Sequence, residues 1–137
     1  MNECIFCKII KEEIPAKIIY EDKDVISFLD RNQVNKGHAL VMPKKHHKNF
    51  LVTPRKEFSD LMEVSKKVAE AQMKILGSEG FNLIVNTNKA AGQVVDHLHI
   101  HVIPRYSGDG LQVTYGGDNK KGASDEEYEK IKSFLKH

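Results

Sequence analysis

The stretch Asp96-His97-Leu98-His99-Ile100-His101-Val102-Ile103-Pro104-Arg105 constrains this chain more than any other. Histidine and aliphatic residues alternate through it, and side chains in an extended strand alternate between faces. A strand puts His97, His99 and His101 on one face and Leu98, Ile100 and Val102 on the other. A helix would scatter the three rings over about 200° of its circumference. Neighbours on the histidine face of a strand lie about 6.6 Å apart. That is too far for adjacent rings to chelate one ion easily, and close enough for both to touch one phosphate group. The aliphatic face gives the row a buried, rigid back.

Composition narrows the setting. The chain has 137 residues, 40% hydrophobic and 29% charged, enough for one domain with a real core. A net charge of +2 does not by itself point to nucleic acid. No segment approaches the roughly 20 apolar residues that cross a membrane, and Met1-Asn2-Glu3-Cys4 lacks the apolar run of a secretory signal. Two cysteines three positions apart are no secreted disulfide framework. The expected location is the cytoplasm, where a disulfide between them is disfavoured.

Along the chain, Ile5, Phe6, Ile9 and Ile10 predict a short amphipathic helix within residues 3–13, stopped before Pro15. Strands follow at Ile18–Glu21, Val25–Asp30 and His38–Met42, the first two joined by a turn at Asp22-Lys23-Asp24. The long helical period runs from Phe58 to Leu76, with Ser59 or Asp60 near its start and Gly77 as a stop. Phe81–Asn86 is a fourth strand, a loop at 89–93 follows, and Val95–Ile103 is the histidine strand. After Pro104 a Gly-rich stretch, 107–122, leads to a last helix, where Ser124 and Glu127 form a capping box. The pattern is α+β: an antiparallel sheet with helices on one side.

A neutral imidazole can attack phosphorus. His99 has a neighbouring ring on each side, and either His101 or a backbone carbonyl is available to accept its second N–H. Asn86 and the amides around Gly92-Gln93 are placed to donate to a transferring group. Cys4 and Cys7 leave two readings open, half of a zinc site or a pair of buried cysteines. A closed zinc site needs about four ligands, and His46, His47 and His97 are the available partners.

The run His97-Leu98-His99-Ile100-His101-Val102 resembles the signature of the histidine-triad (HIT) family of nucleotide hydrolases and transferases. Cys4 to Ile10, Glu13-Ile14-Pro15-Ala16, Phe28-Leu29-Asp30, Gly37 to Lys44, Val85-Asn86 and Gly92-Gln93 extend the resemblance over nearly the whole chain. Ile103-Pro104-Arg105-Tyr106 with Gly108-Asp109-Gly110 is similar to its bacterial branch. The resemblance implies one HIT domain over 1–137, with a C-terminal extension from about 106. It implies a homodimer joined through the long helix and the following strand into one continuous sheet.

By the same resemblance, His99 is a nucleophile that forms a nucleotidyl-histidine at the α-phosphorus. His101 binds phosphate, His97 completes the triad and His38 stands beside it. Asp30 matches a ribose-binding acid, with capping of its own strand as the plainer role. Ile5, Phe6, Ile9, Ile14, Phe28 and Leu40 match an apolar purine slot, which is otherwise simply core. Asn86, Gly92 and Gln93 match the phosphate-side loop. Val94 stands where purine phosphoramidases often carry serine, and Arg31 where the family carries a small apolar residue. The implied substrate is a dinucleoside polyphosphate or a nucleoside phosphoramidate. The implied metal is structural Zn2+ on Cys4, Cys7, His46 and His97.

Two other readings of the sequence are a nucleotide-binding adaptor with vestigial catalysis and a hydrolase with an open metal site on the three triad histidines. His47 and His137 are expected at the surface. Lys120 and Lys121 are expected to be solvated or to meet a polyphosphate tail.

Overall fold

The computed structural model describes residues 3–112 and 122–136. Lys120, Lys121 and His137 lie outside the described residues, as does most of the Gly-rich stretch. The elements are α1 (Ile5–Ile10), β1 (Ile18–Glu21), β2 (Val25–Leu29), β3 (Ala39–Pro43), α2 (Arg55–Leu76), β4 (Gly80–Val85), β5 (Ile100–Arg105) and α3 (Asp125–Phe134). Single 3₁₀ turns occupy Phe50–Val52 and Lys89–Ala91.

All five strands pair antiparallel in the order β1-β2-β3-β5-β4. The expected antiparallel α+β sheet is therefore the observed one, but the helices are not all on one side as expected: α1 and α2 cover opposite faces, because the strands are apolar on both. Alternation along the strands sorts the core into two layers. Val25, Ala39, Val41, Leu98, Ile100 and Val102 pack against Leu61, Val64, Val68 and Ala69 of α2. Ile26, Phe28, Leu40 and Met42 pack against Phe6 and Ile9 of α1.

Two boundaries move for physical reasons. The helix α2 begins at Arg55 behind Pro54, earlier than Phe58, because its first turn is polar and adds nothing to the apolar period. Regular pairing of the histidine strand begins only at Ile100. His97 lies in a bend, and Leu98 and His99 follow it outside the paired strand, yet Leu98 still joins Ile100 and Val102 in the α2 layer. Gly77 ends α2 in the left-handed conformation, and Ser124 and Glu127 form the expected capping box on α3.

Gly37 is fixed by both backbone and space. Its φ is +93°, and a Cβ there would collide with the Leu76 side chain. Its carbonyl accepts a hydrogen bond of 3.0 Å from Gln72 Nε2 of α2, which donates equally to Val102 O in β5. The turn that delivers His38 is thus held down on the long helix. Among the described residues, no helix is long and apolar enough to cross a membrane.

Candidate functional site

A cavity of about 840 Å³ opens on the α1 face of the sheet, within the size range of small-molecule pockets. Ile5, Phe6, Ile9, Phe28 and Leu40 form an apolar wall, while Asp30, Asn86, Gly92, Val94, His99 and His101 also line it. Phe6 meets Phe28 and His99 edge-on, with ring centroids 5.8 and 5.1 Å apart. The rim adds Lys17, Arg31, Asn32 and Gln33. Lys17, Asn32 and Gln33 carry no sequence pattern, since rim residues on turns follow no period.

Four residues expected at the site do not line the pocket, His38, buried beside it, among them. Ile14 packs at the margin of the apolar layer beneath. Gln93 is a brace for its own loop: Oε1 accepts from Asn88 N at 2.9 Å, and Nε2 donates to Lys48 O and Val95 O at 2.8 and 3.0 Å. His97 is fully buried and its ring turns toward the cysteines.

Each ring is locked by a specific partner. His97 Nε2–H donates to Pro43 O at 2.8 Å, so its Nδ1 carries the lone pair. His99 Nδ1–H donates to the carbonyl of His97 at 2.7 Å. That carbonyl, rather than a neighbouring ring, fixes the His99 tautomer and leaves Nε2 unprotonated. Burial lowers the pKa of His99, outweighing the raising effect of its hydrogen bond and of Asp30. Burial also pushes His101 down to about 4, helped by His99 and His38. Both rings are neutral at pH 7.

His38 is buried beside this pair. Its Nε2 lies 3.0 Å from His101 Nδ1 and 3.5 Å from Asp30 Oδ2. These three side chains bring ligand atoms within 4.8 Å of one another, but the proton count is against an ion. His38 Nδ1 already accepts the Val34 amide at 3.2 Å. A neutral ring that accepts at Nδ1 carries its proton on Nε2, where the metal would have to bind. His97, His99 and His101 do not come together as ligands, because the His97 ring turns to the cysteines.

The second constellation is different. Cys4, Cys7, His46 and His97 bring four ligand atoms within 4.8 Å of one another. Cys7 Sγ lies 3.3 Å from His46 Nδ1 and 3.6 Å from His97 Nδ1, and Cys4 Sγ lies 3.5 Å from His97 Nδ1. A tetrahedron with zinc bonds of 2.0–2.3 Å has ligand–ligand edges of about 3.5 Å. The outer bond from His97 to Pro43 O is the kind that orients a metal-binding imidazole. The donor set fits Zn2+. His47 stands apart, half-buried against Glu57 Oε1 at 2.7 Å, rather than loose at the surface.

The HIT domain matches residues 11–108. A HIT-like protein of Methanocaldococcus jannaschii is 51% identical over 113 residues, covering 82% of this chain and 87% of that one. Adenylylsulfatase HINT3 of Arabidopsis thaliana is 42% identical over 110 residues, covering 80% of this chain and 56% of the relative. Among solved structures, a HIT family protein of Bacillus anthracis superposes with a TM-score of 0.87 at 38% identity, covering 98% and 95% of the two chains. A Zn-bound histidine triad family protein of Mycobacterium smegmatis gives a TM-score of 0.78 at 37% identity, covering 85% and 84%. By its triad, its antiparallel sheet and these relatives, the chain belongs to the HIT domain family.

Proposed function

We propose that this protein is a nucleotide hydrolase that cleaves purine nucleotides at the α-phosphorus through a nucleotidyl-His99 intermediate. One observation carries the reading: His99 lines the cavity while its Nδ1–H is spent on the His97 carbonyl. The unprotonated Nε2 is then the nucleophile. The purine sits against Phe6, Ile9 and Phe28, and Asp30 takes the ribose hydroxyls. Asn86 and the backbone at Gly92 meet the phosphate together with His101. His99 Nε2 bonds to phosphorus as the bond to the leaving group breaks, and the leaving group departs with its electron pair. Water then attacks phosphorus, the P–N bond breaks, and nucleoside monophosphate is released.

The substrate is a dinucleoside polyphosphate or a nucleoside phosphoramidate. The adenylylsulfatase among the relatives adds adenylyl sulfate to the panel. Incubation with diadenosine tetraphosphate, an adenosine phosphoramidate and adenylyl sulfate, with product identification, separates these. His99→Ala should lower turnover at least about a thousandfold and leave the melting temperature and nucleotide binding near those of the parent. Parent-rate cleavage by that variant removes the proposal. Tight monophosphate binding with no turnover on any substrate by the parent would favour an adaptor.

Zinc on Cys4, Cys7, His46 and His97 belongs to the same reading as a structural ion that ties α1 to the sheet. It supplies no reacting ligand, because four protein donors close the site. A homodimer also belongs to it, since the outer edge of β4 is unpaired within the described residues. Phe81 and Leu83 there, and Met62 and Met73 of α2, are exposed, an apolar edge that a second copy would cover. Sedimentation at micromolar concentration should give twice the chain mass, and a monomer would remove the dimer.

A further inference from the structure

The loop between Asp30 and His38 contains a residue that touches neither cavity nor triad and yet is tied to both. Asn35 Nδ2 donates to Pro104 O and to Asp109 Oδ2, each at 2.8 Å, and the main-chain carbonyl of Asn35 accepts from His38 N at 3.0 Å. Asp109 is itself a rigid anchor. Arg105 grips both its oxygens at 2.9 and 3.0 Å, and the amides of Tyr106 and Leu111 donate to it at 3.0 Å each. The Arg105 guanidinium and these amides hold the Asp109 carboxyl well below the usual carboxylate range. The neighbouring residue, Val34, presents its amide to His38 Nδ1, while its own side chain is exposed.

We propose that Asn35 is a positioning residue that holds the Val34 amide on His38 and so decides which nitrogen of His101 carries the proton. The chain of consequences is short. With Nδ1 accepting, His38 is protonated at Nε2. Asp30 Oδ2 lies 3.5 Å from that nitrogen and His101 Nδ1 only 3.0 Å, so the N–H is given to His101 Nδ1, which accepts it. His101 is then protonated at Nε2, and a donor faces the cavity that His101 lines. Without the Val34 amide, His38 can take its proton at Nδ1 and accept at Nε2. His101 would then turn its proton toward His38 and offer a lone pair where a phosphate oxygen is to bind. One backbone amide thereby sets the sign of the contact at the phosphate, from outside the pocket.

This inference rests on the hydrolase reading only for its kinetic consequence. The test is long-range proton–nitrogen correlation NMR on the imidazoles of the full chain, with steady-state kinetics on the substrate found above. In the parent, His38 and His101 should both appear as neutral Nε2–H tautomers at pH 7. In Asn35→Ala, His101 should lose that single tautomer. Its kcat should fall about tenfold or more, while KM, set by the purine slot and Asp30, changes less than threefold.

A parent His101 protonated at Nδ1 overturns the proposal. So does a folded Asn35→Ala with the parent tautomers and kcat. Should Asn35→Ala fail to fold, Val34→Pro removes the amide proton itself, and the same spectra decide the matter. If the parent turns over nothing yet shows the expected tautomers, the hydrolase reading fails and the positioning role stands.

Discussion

The two faces of the sheet draw on the same strands and end in opposite chemistry. Under α2, Ala39, Val41, Leu98, Ile100, Val102 and Leu61 are all within 1% of complete burial and carry no polar side-chain atom. On the other face, Leu40, His97, His99 and His101 alternate with them, and α1 covers only part of the layer. The first face is sealed by a long helix and packs as a solid. The second leaves a cavity lined by His99 and His101, and each imidazole on this face needs its own hydrogen-bond partner. The difference teaches that the apolar face acts as the rigid backing for the polar one. A histidine keeps its tautomer because the carbonyl it bonds to sits on chain pinned from behind.

Several measurements would break or sharpen that contrast. Metal removal should have the largest effect if the proposed zinc ties α1 to the histidine face, whereas the α2 face rests on packing alone. At a thousandfold excess of Zn2+ over its Kd, the ion contributes about 4 kcal/mol. A chelator should lower the melting temperature accordingly, with the metal content followed by elemental analysis. Cys7→Ser should remove the response, and an unchanged melt would show that packing alone holds α1.

Leu61→Ala opens a hole in the fully buried α2 layer and should cost about 3 kcal/mol in denaturant unfolding. It should leave kcat within threefold of the parent, and a much larger loss would mean that the backing is soft. Above the carboxylate range, acid should act chiefly on the histidine face. Burial holds His38 below its ordinary pKa and His101 at about 4, whereas the unfolded chain titrates near 6.5. Between those values the unfolded state binds more protons, so stability rises with pH and is lost as the solution is acidified from about 6.5 toward 4. Melting curves across that range should show the fall, and His101→Asn should flatten part of it. Ser124→Ala, in a helix with no buried residue, should fray α3 by about 1 kcal/mol. Circular dichroism should register the fraying with no change in turnover.

Much of the fold was legible because its signals are local. Gly77 after an apolar period and Ser124 three positions before Glu127 each name an element's end through one backbone conformation or one pair of hydrogen bonds. The start of α2 was not legible, since Arg55-Lys56-Glu57 carries no apolar period. In the site, alternation alone set the three rings opposite three aliphatics. It did not show that His97 turns away toward Cys4 and Cys7, because a strand face says nothing about which neighbour each ring meets. Gln93 illustrates the same limit, as its amide bonds Lys48 far away in sequence.

The sequence by itself determined the antiparallel sheet, the face on which the histidines lie and the pool from which metal ligands could come, Cys4 and Cys7 with His46, His47 and His97, because periodicity and residue chemistry are properties of the chain. Only the tertiary structure decided the protonation pattern. Pro43 O, His97 O and the Val34 amide each meet a ring nitrogen once the chain is folded. Those are backbone groups that every residue but proline possesses in full, so no residue type announces them, and their effect exists only at hydrogen-bonding distance.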